Sequence, residues 1–256
     1  LIPEYGGNMQ NIAGLEGRVD INVSDVRDPH SMAHLVRNHD VLFNLAGQTS
    51  HVDSMVNPDI DLAINVTAQL AILEVCRRWN PEIRVVFAST RQIYGRPRRL
   101  PVDESHPIEP VDVNGVHKAA AEWYHRLYDE VHGISTVSLR LTNTYGPRMR
   151  VKDARQTFLG VWIRAAVERG EIKVFGDGRQ LRDFLFVEDA VEALVVAAGR
   201  RDVRATALNI GGPPPLALVE VAEMLVRLRP GTSYDIVPFP ADRAAIDIGD
   251  FFADSG

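Results

Sequence analysis

The 256-residue chain has a single cysteine, only 7% aromatic residues, and no apolar run approaching the roughly 18 residues that a membrane-spanning helix needs. One cysteine excludes a disulfide framework within the chain, and Cys76 in "LAILEVCRRW", at helical spacing from Ile72 and Leu73, reads as a small core residue. The eight histidines form no pair with metal-ligand spacing, so no metal site is expected. Basic charge is also short: 28 Lys and Arg against 34 Asp and Glu leave a net charge of −6, with no basic stripe interleaved with aromatics. That balance opposes general attraction to nucleic acid or to an anionic membrane. There is no charged-then-apolar leader, and cytoplasmic residence is the default expectation.

What is present is a chain with 45% apolar and 24% charged residues, enough to bury a substantial core. Three β-branched apolar runs, "RVDINVSDV", "DVLFNLAG" and "IRVVFAST", are each followed by a loop or a helical-period segment. Alternation of this kind predicts a parallel sheet with helices on both faces. Helices are expected over 59–79, after the start signal Asn57-Pro58, and over 114–132, ended by Gly133. "STVSLRLTNTYGP" is expected as the next strand. After Pro147 the character becomes mixed: a basic loop "RMRVKDARQ", the helix "TFLGVWIRAAVERG", the strand "IKVFG", then "RQLRDFLFVEDAVEALVVAA", "ALNIG", "GGPPP", "LALVEVAEMLVRL" and "SYDIVPF". The pattern suggests a nucleotide-type α/β layer with a smaller region built onto its carboxyl-end crevice.

Four spaced motifs, "VVFASTRQIYG", "NGVHKAAAEWY", "RLTNTYGPR" and "GRQLRDFLFVEDAVEAL", strongly resemble the extended short-chain dehydrogenase/reductase family, and within it the NAD-dependent nucleotide-sugar epimerases and dehydratases. The resemblance covers essentially the whole chain in order. It implies a Rossmann-like doubly wound sheet, with 1–147 as the NAD-binding domain, also receiving later strand and helix segments, and 148–256 as mainly the nucleotide-sugar region. Family members open with a strand, a G-x-x-G-x-x-G turn and a helix that hold pyrophosphate. No such motif occurs here, and the chain starts at "LIPEYGGNMQNI" and stops at "FFADSG". The expectation is therefore a longer parent protein, with the N-terminal βαβ segment and the C-terminal end outside this sequence.

The resemblance assigns Asp25 and Val26 to the adenine, Leu45, Ala46 and Gly47 to the turn at the ribose and pyrophosphate, and Asn65 to a helix position facing that turn. Ser89 and Thr90 fall at the end of the third apolar strand, Ser89 with the cofactor residues and Thr90 at the sugar hydroxyl. Lys118 matches the lysine that binds the nicotinamide ribose and lowers the pKa of a neighbouring tyrosine, the general base. That tyrosine's place is taken by Asn114, whose amide cannot accept a proton. Among substitutes, His117 is expected to point away from the face shared by Asn114 and Lys118, while Tyr94 and Tyr145 are expected to be structural. Asn143 matches a residue that touches the nucleotide's phosphate or sugar and Arg182 an arginine on the diphosphate, with an Asp183 pair as the competing role for Arg182, and Val174 and Phe175 match the stretch whose backbone reads the base.

The loop "GQTSHVDSMVNP" is similar to that of dehydratases and decarboxylases, yet Arg91-Gln92 stand where 4,6-dehydratases carry Asp-Glu, which disfavours water elimination. The leading expectation is an NAD-dependent, UDP-glucose 4-epimerase-like isomerase acting on a nucleotide sugar as a homodimer. The alternatives are a dehydratase, decarboxylase or reductase with a relocated base, and a catalytically silent binder of NAD or nucleotide sugar.

Overall fold

The computed structural model describes residues 8–153, 157–212 and 214–256. The first residues of the 1–12 loop, positions 154–156 of the basic loop and position 213 of "GGPPP" lie outside the described residues.

Four strands, β1 (Val41–Asn44), β2 (Arg84–Thr90), β3 (Thr136–Leu141) and β8 (Thr206–Ile210), form one parallel sheet in the order β1-β2-β3-β8. A parallel sheet is covered on both faces, which is why β2 is apolar without interruption through Val85, Val86 and Phe87. Successive residues serve opposite layers. Val85 packs with Met32, Ile72, Leu73, Cys76 and Tyr128, whereas Val86 packs with Val137, Leu139, Leu194 and Ala197. The first set lies under α1 (Pro29–Val36), α4 (Ala68–Trp79) and α5 (Val113–His132), and the second under α7 (Val187–Gly199). Cys76 is buried, as its spacing predicts.

Helix ends follow their sequence signals. Asp28 caps α1 ahead of Pro29, and Asp112 caps α5 by accepting from Gly115 N at 2.6 Å. Gly133 closes α5 in the left-handed region, at φ 75°, where a side chain would be strained. The predicted helix 59–79 is broken into three pieces: α3 (Pro58–Leu62), a π-helical turn over Ala63–Thr67, and α4. α2 (His51–Val56) precedes them.

"RVDINVSDV" is not a strand. Val19, Ile21 and Val23 are exposed and, among the described residues, pair with no neighbour. An alternating pattern becomes a strand only where a ladder partner is available, and β1 pairs only with β2.

Beyond the sheet, β5 (Glu171–Phe175) pairs in parallel with β10 (Ser233–Val237). These strands form a second core with α6 (Phe158–Val167) and α8 (Leu218–Leu228), around Trp162, Ile172, Val174 and Val221. The predicted strand ending at "TNTYGP" divides at Thr142. β3 stays in the main sheet, while β4 (Asn143–Tyr145) leaves to pair with β7 (Phe184–Phe186). β6 (Leu181–Arg182) pairs with β9 (Leu216–Ala217), and α9 (Ala241–Ala244) follows β10.

One buried cation ties the sheet to α7. The Arg84 guanidinium donates to the carbonyls of Ala197, Arg200 and Val203 and to Ser135 Oγ, so the last turn of α7 finds its donors on β2. Arg84→Leu strands those carbonyls and should lower stability by about 1–3 kcal/mol, the cost of unsatisfied buried polar groups. Denaturant midpoints measure this, and a loss below ~0.5 kcal/mol, the range of neutral surface changes, would show that water substitutes for the guanidinium.

Candidate active site

The carboxyl ends of β1 and β2 and the amino end of α5 converge on one crevice. After β1 the chain turns through Leu45, Ala46 and Gly47, with Leu45 exposed. Gly47 has no room for a side chain: a Cβ there would lie 2.9 Å from Lys118 Nζ and 3.0 Å from Asn65 Oδ1. Lys118 is buried, and its ammonium donates to Ala88 O at 2.9 Å and lies 4.7 Å from the Phe87 ring centre. Burial pulls its pKa down to about 8. Asn65 sits in the π-helical turn and bonds both backbone groups of Gln48, each at 3.2 Å. It is therefore a clamp on the turn after β1, consistent with the tendency of π-turns to mark functional positions.

Asn114 does not face the crevice as a free amide. Its Nδ2 donates to Gln48 O at 2.7 Å and to Asp61 Oδ2 at 3.1 Å. Asp61 is wholly buried and accepts four donors: Ser54 Oγ, Asn65 Nδ2, His117 Nδ1 and Asn114 Nδ2. Burial by itself would raise this carboxyl, but the four hydrogen bonds together hold it below the ordinary carboxylate value. The expectation for His117 is corrected here. Residues three apart on a helix are neighbours as well as those four apart, so His117 reaches Asp61 at 2.7 Å beside Asn114 rather than turning away.

At the end of β2, Ser89 Oγ is buried and has no hydrogen-bond partner among the described residues. Thr90 Oγ1 accepts from Gln92 N at 3.2 Å, and Gln92 Nε2 donates to Asp112 Oδ2 at 2.7 Å. Arg91 donates to Asn143 Oδ1 at 3.0 Å, and burial, followed by the nearby Arg182, brings its pKa down to about 9. Tyr94 is buried away from the crevice, its hydroxyl donating to Asn209 at 2.7 Å and accepting from Arg140, which in turn pairs with Glu122. Tyr145 packs edge-on against Phe184 and Phe186.

The remaining assigned residues are more scattered. Asp25 is exposed and ion-paired with Arg27, while Val26 packs at the margin of the α1/α4 core. Asn143 Nδ2 donates to Asp183 O at 2.9 Å. Arg182 is buried and bonds the carbonyls of Leu181 and Gly249; its ion pair, at 3.5 Å, is with Asp247, while Asp250 and Asp183 act on it without pairing. Asp183 instead accepts from Ala253 N. Val174 is core, and Phe175 lies between Phe239 and Arg243. Among the described residues no cluster of three His, Cys, Asp or Glu could hold a metal ion. Sequence reasoning passed over Gln48, Asp61, His51 and Asp112. The available signals were Asp112, a helix cap two residues ahead of Asn114, and the loop "GQTSHVDSMVNP", which contains Gln48 and His51.

A parallel α/β sheet with a glycine turn against a buried lysine at its carboxyl edge is the Rossmann-like layout in which ligands bind at the carboxyl ends of the strands. Residues 4–211 match the NAD dependent epimerase/dehydratase family, and the chain belongs to it. It is 30% identical over 235 residues to the CDP-paratose 2-epimerase of Salmonella typhi, covering 82% of this chain and 69% of that one. In fold it matches the UDP-N-acetylglucosamine 4-epimerase from Methanobrevibacter ruminantium M1, solved in complex with UDP-N-acetylmuramic acid, with a TM-score of 0.89 at 24% identity over 97% of this chain and 78% of that one. A double mutant of the dTDP-glucose 4,6-dehydratase from Streptomyces venezuelae, with NAD and DAU bound, aligns with a TM-score of 0.84 at 26% identity over 98% and 76% of the two chains.

The Asp61 network makes a test of Asn114 direct. Asn114→Ala removes one donor and should destabilise by about 1–3 kcal/mol. Asn114→Asp sets a second carboxylate against Asp61 and should cost more at pH 8, about 3–5 kcal/mol as for a broken buried pair. The two carboxyls then share a proton as pH falls, so the Asp variant should recover towards the Ala variant near pH 5. Urea midpoints at the two pH values decide, and an Asp variant that is the more stable of the two at pH 8 would refute the assignment.

Proposed function

We propose that the chain is an NAD-dependent nucleotide-sugar epimerase that oxidises a sugar carbon to a transient ketone and reduces it again from the opposite face. The observation that carries this reading is the crevice formed by Gly47, Lys118 and Ser89. The residues fit the cofactor there. Among the described residues Lys118 makes one hydrogen bond and so retains donors for a ribose, the turn at Gly47 is bare backbone, and Ser89 Oγ is a buried group lacking a partner. Lys118 and Ser89 would hold the nicotinamide end, Leu45, Ala46, Gly47 and Asn65 the turn beside ribose and pyrophosphate, and Asp25 and Val26 the adenine. When bound, NAD supplies the hydride acceptor and donor.

On the substrate side, Thr90 orients the sugar hydroxyl, Asn143 and Arg182 take the diphosphate, and the backbone at Val174 and Phe175 meets the base. Arg182 would exchange its long contact with Asp247 for phosphate oxygens. Epimerisation is favoured over dehydration because Arg91 is bonded to Asn143 and Gln92 to Asp112, and neither side chain can exchange protons as a carboxylic acid does. In this reading residues 1–147 serve mainly the cofactor and 148–256 mainly the nucleotide sugar.

A cytoplasmic homodimer completes the proposal. α4 and α5 present Trp79, Trp123 and Leu127 to solvent, whereas Leu73 is core and Leu70 and Tyr124 are partly covered against the sheet. The exposed rings are the kind of large apolar surface that an interface covers.

Mass spectrometry of small molecules released from the denatured protein should find NAD, and incubation with uridine or deoxythymidine diphosphate sugars should trap reduced cofactor. Sugar binding without any reduced cofactor would mark a silent binder. Lys118→Met should weaken NAD binding by about 1.5–3 kcal/mol, the range for hydrogen bonds to charged groups, with diphosphate binding unchanged. Equal NAD affinity of parent and variant in calorimetry would remove Lys118 from the cofactor site.

A further inference from the structure

Sugar oxidation requires a group that accepts the hydroxyl proton, and Asn114 cannot be that group. The crevice offers another. His51 is the first residue of α2 and follows the turn after β1, so it stands at the carboxyl edge of the sheet. Its Nδ1 is 3.0 Å from Asp112 Oδ2, close but not aligned as a straight hydrogen bond. The Asp112 side chain is fully buried, whereas that of His51 is 36% exposed. Among the described residues no hydrogen bond engages His51 Nε2.

Asp112 is fixed from three sides. Gly115 N binds its Oδ1, Gln92 Nε2 binds its Oδ2, and the His51 ring lies against the same oxygen. Burial opposes its charge, but the His51 contact and these bonds keep the carboxyl below its ordinary value. Gln92 N is in turn bonded to Thr90 Oγ1. Hydrogen bonds and this close contact therefore connect His51 to the end of β2, where the sugar hydroxyl is placed in the reading above. The other charged groups around the pair are Arg91, which interacts with Asp112, and Asp53 on the same helix as His51. The Asp61–His117 pair lacks this connection: Asp61 is shared among four donors between α3 and α5, and none of its bonds leads to Thr90.

We propose that His51, held through Nδ1 by Asp112, is the proton acceptor that replaces the missing phenol; this rests on the epimerase reading. In the oxidation the sugar O–H bond breaks and its proton forms an N–H bond at Nε2, while the C–H electron pair leaves as hydride to NAD. The imidazolium is balanced by the Asp112 carboxylate. The return step reverses both transfers, so no proton or electron is consumed overall.

The test compares His51→Gln, Asp112→Asn and His117→Gln with the parent. In single turnover with a uridine or deoxythymidine diphosphate sugar, His51→Gln should slow the appearance of reduced nicotinamide by about 10²–10⁴-fold, the contribution of a positioned acid/base group. The pH–rate profile of the step should change shape in this variant. Asp112→Asn should slow the step by less, because the imidazole remains. Calorimetric affinities for NAD and sugar nucleotide should stay within about twofold of the parent, since only proton transfer is removed. Independently of any ligand, ¹⁵N NMR should show His51 as the Nδ1–H tautomer in the parent and a shift of that tautomer in Asp112→Asn. A parent-like rate and pH profile in His51→Gln, transfer of the effect to His117→Gln, or an Nε2–H tautomer at His51 in the parent would each overturn the proposal. A parent that binds neither NAD nor sugar nucleotide would sink the epimerase reading instead, with the NMR result still judging the His51–Asp112 pair.

Discussion

The crevice depends on one buried carboxylate. Asp61 is charged in an interior that penalises charge, and it is retained because four side chains, one from α2, one from the π-helical turn and two from α5, donate to it. Those donors do more than neutralise it. Asn65 and Asn114 use their remaining capacity on Gln48, so the carboxylate, the π-helical turn, the start of α5 and the turn after β1 are braced together. Gly47, next to Gln48, is thereby pressed against Lys118. A ligand that approaches the Gly47 backbone meets a turn already fixed in place, which is the preorganisation that binding and hydride transfer both require.

This arrangement gives a physical reason for Asn114. A phenol at that place would present a hydroxyl to the crevice but could not give two N–H bonds to Gln48 O and Asp61 at once. The asparagine and the buried aspartate belong together: a carboxylate there needs the extra donor, and the donor is useful because the carboxylate is there. Asn114 thus serves to support the turn. Lys118, four residues on along the same helix, is buried, which brings its pKa down to about 8.

The fold was legible wherever local chemistry and periodicity agreed. The uninterrupted apolar run of β2, the Asn57-Pro58 start and the Gly133 stop all register a strand or helix end in neighbouring residues. The stretch 18–26 was misread because its alternation carries no information about whether a partner strand exists. The site divided along the same line. Lys118 and Asn114, four apart on one helix, were assigned through the resemblance that "NGVHKAAAEWY" carries. Asp61 could not be, since it lies 53 residues from Asn114 and reads locally as an ordinary acidic residue in a first helical turn. His117 was misplaced because a helix face includes the third neighbour as well as the fourth, and only the location of Asp61 shows which face matters.

A second group of buried charges lies around Arg91 and Arg182. Arg91 and Arg182 are both deep, and each is pulled below its ordinary pKa, chiefly by burial; Arg182 then lowers Arg91 further. Their acidic neighbours serve them incompletely. Asp247 is 3.5 Å from Arg182, Asp183 is tied to Ala253 N and is itself pushed up by burial, and one Arg91 nitrogen, Nη1, has no hydrogen-bond partner among the described residues. Removing charge from water without full pairing is unfavourable, and chains keep such groups where a ligand completes them. An anion with several acceptor oxygens, such as a diphosphate, would satisfy the free Arg91 nitrogen and the weakly held Arg182 fork together, where a single carboxylate would leave one of them short.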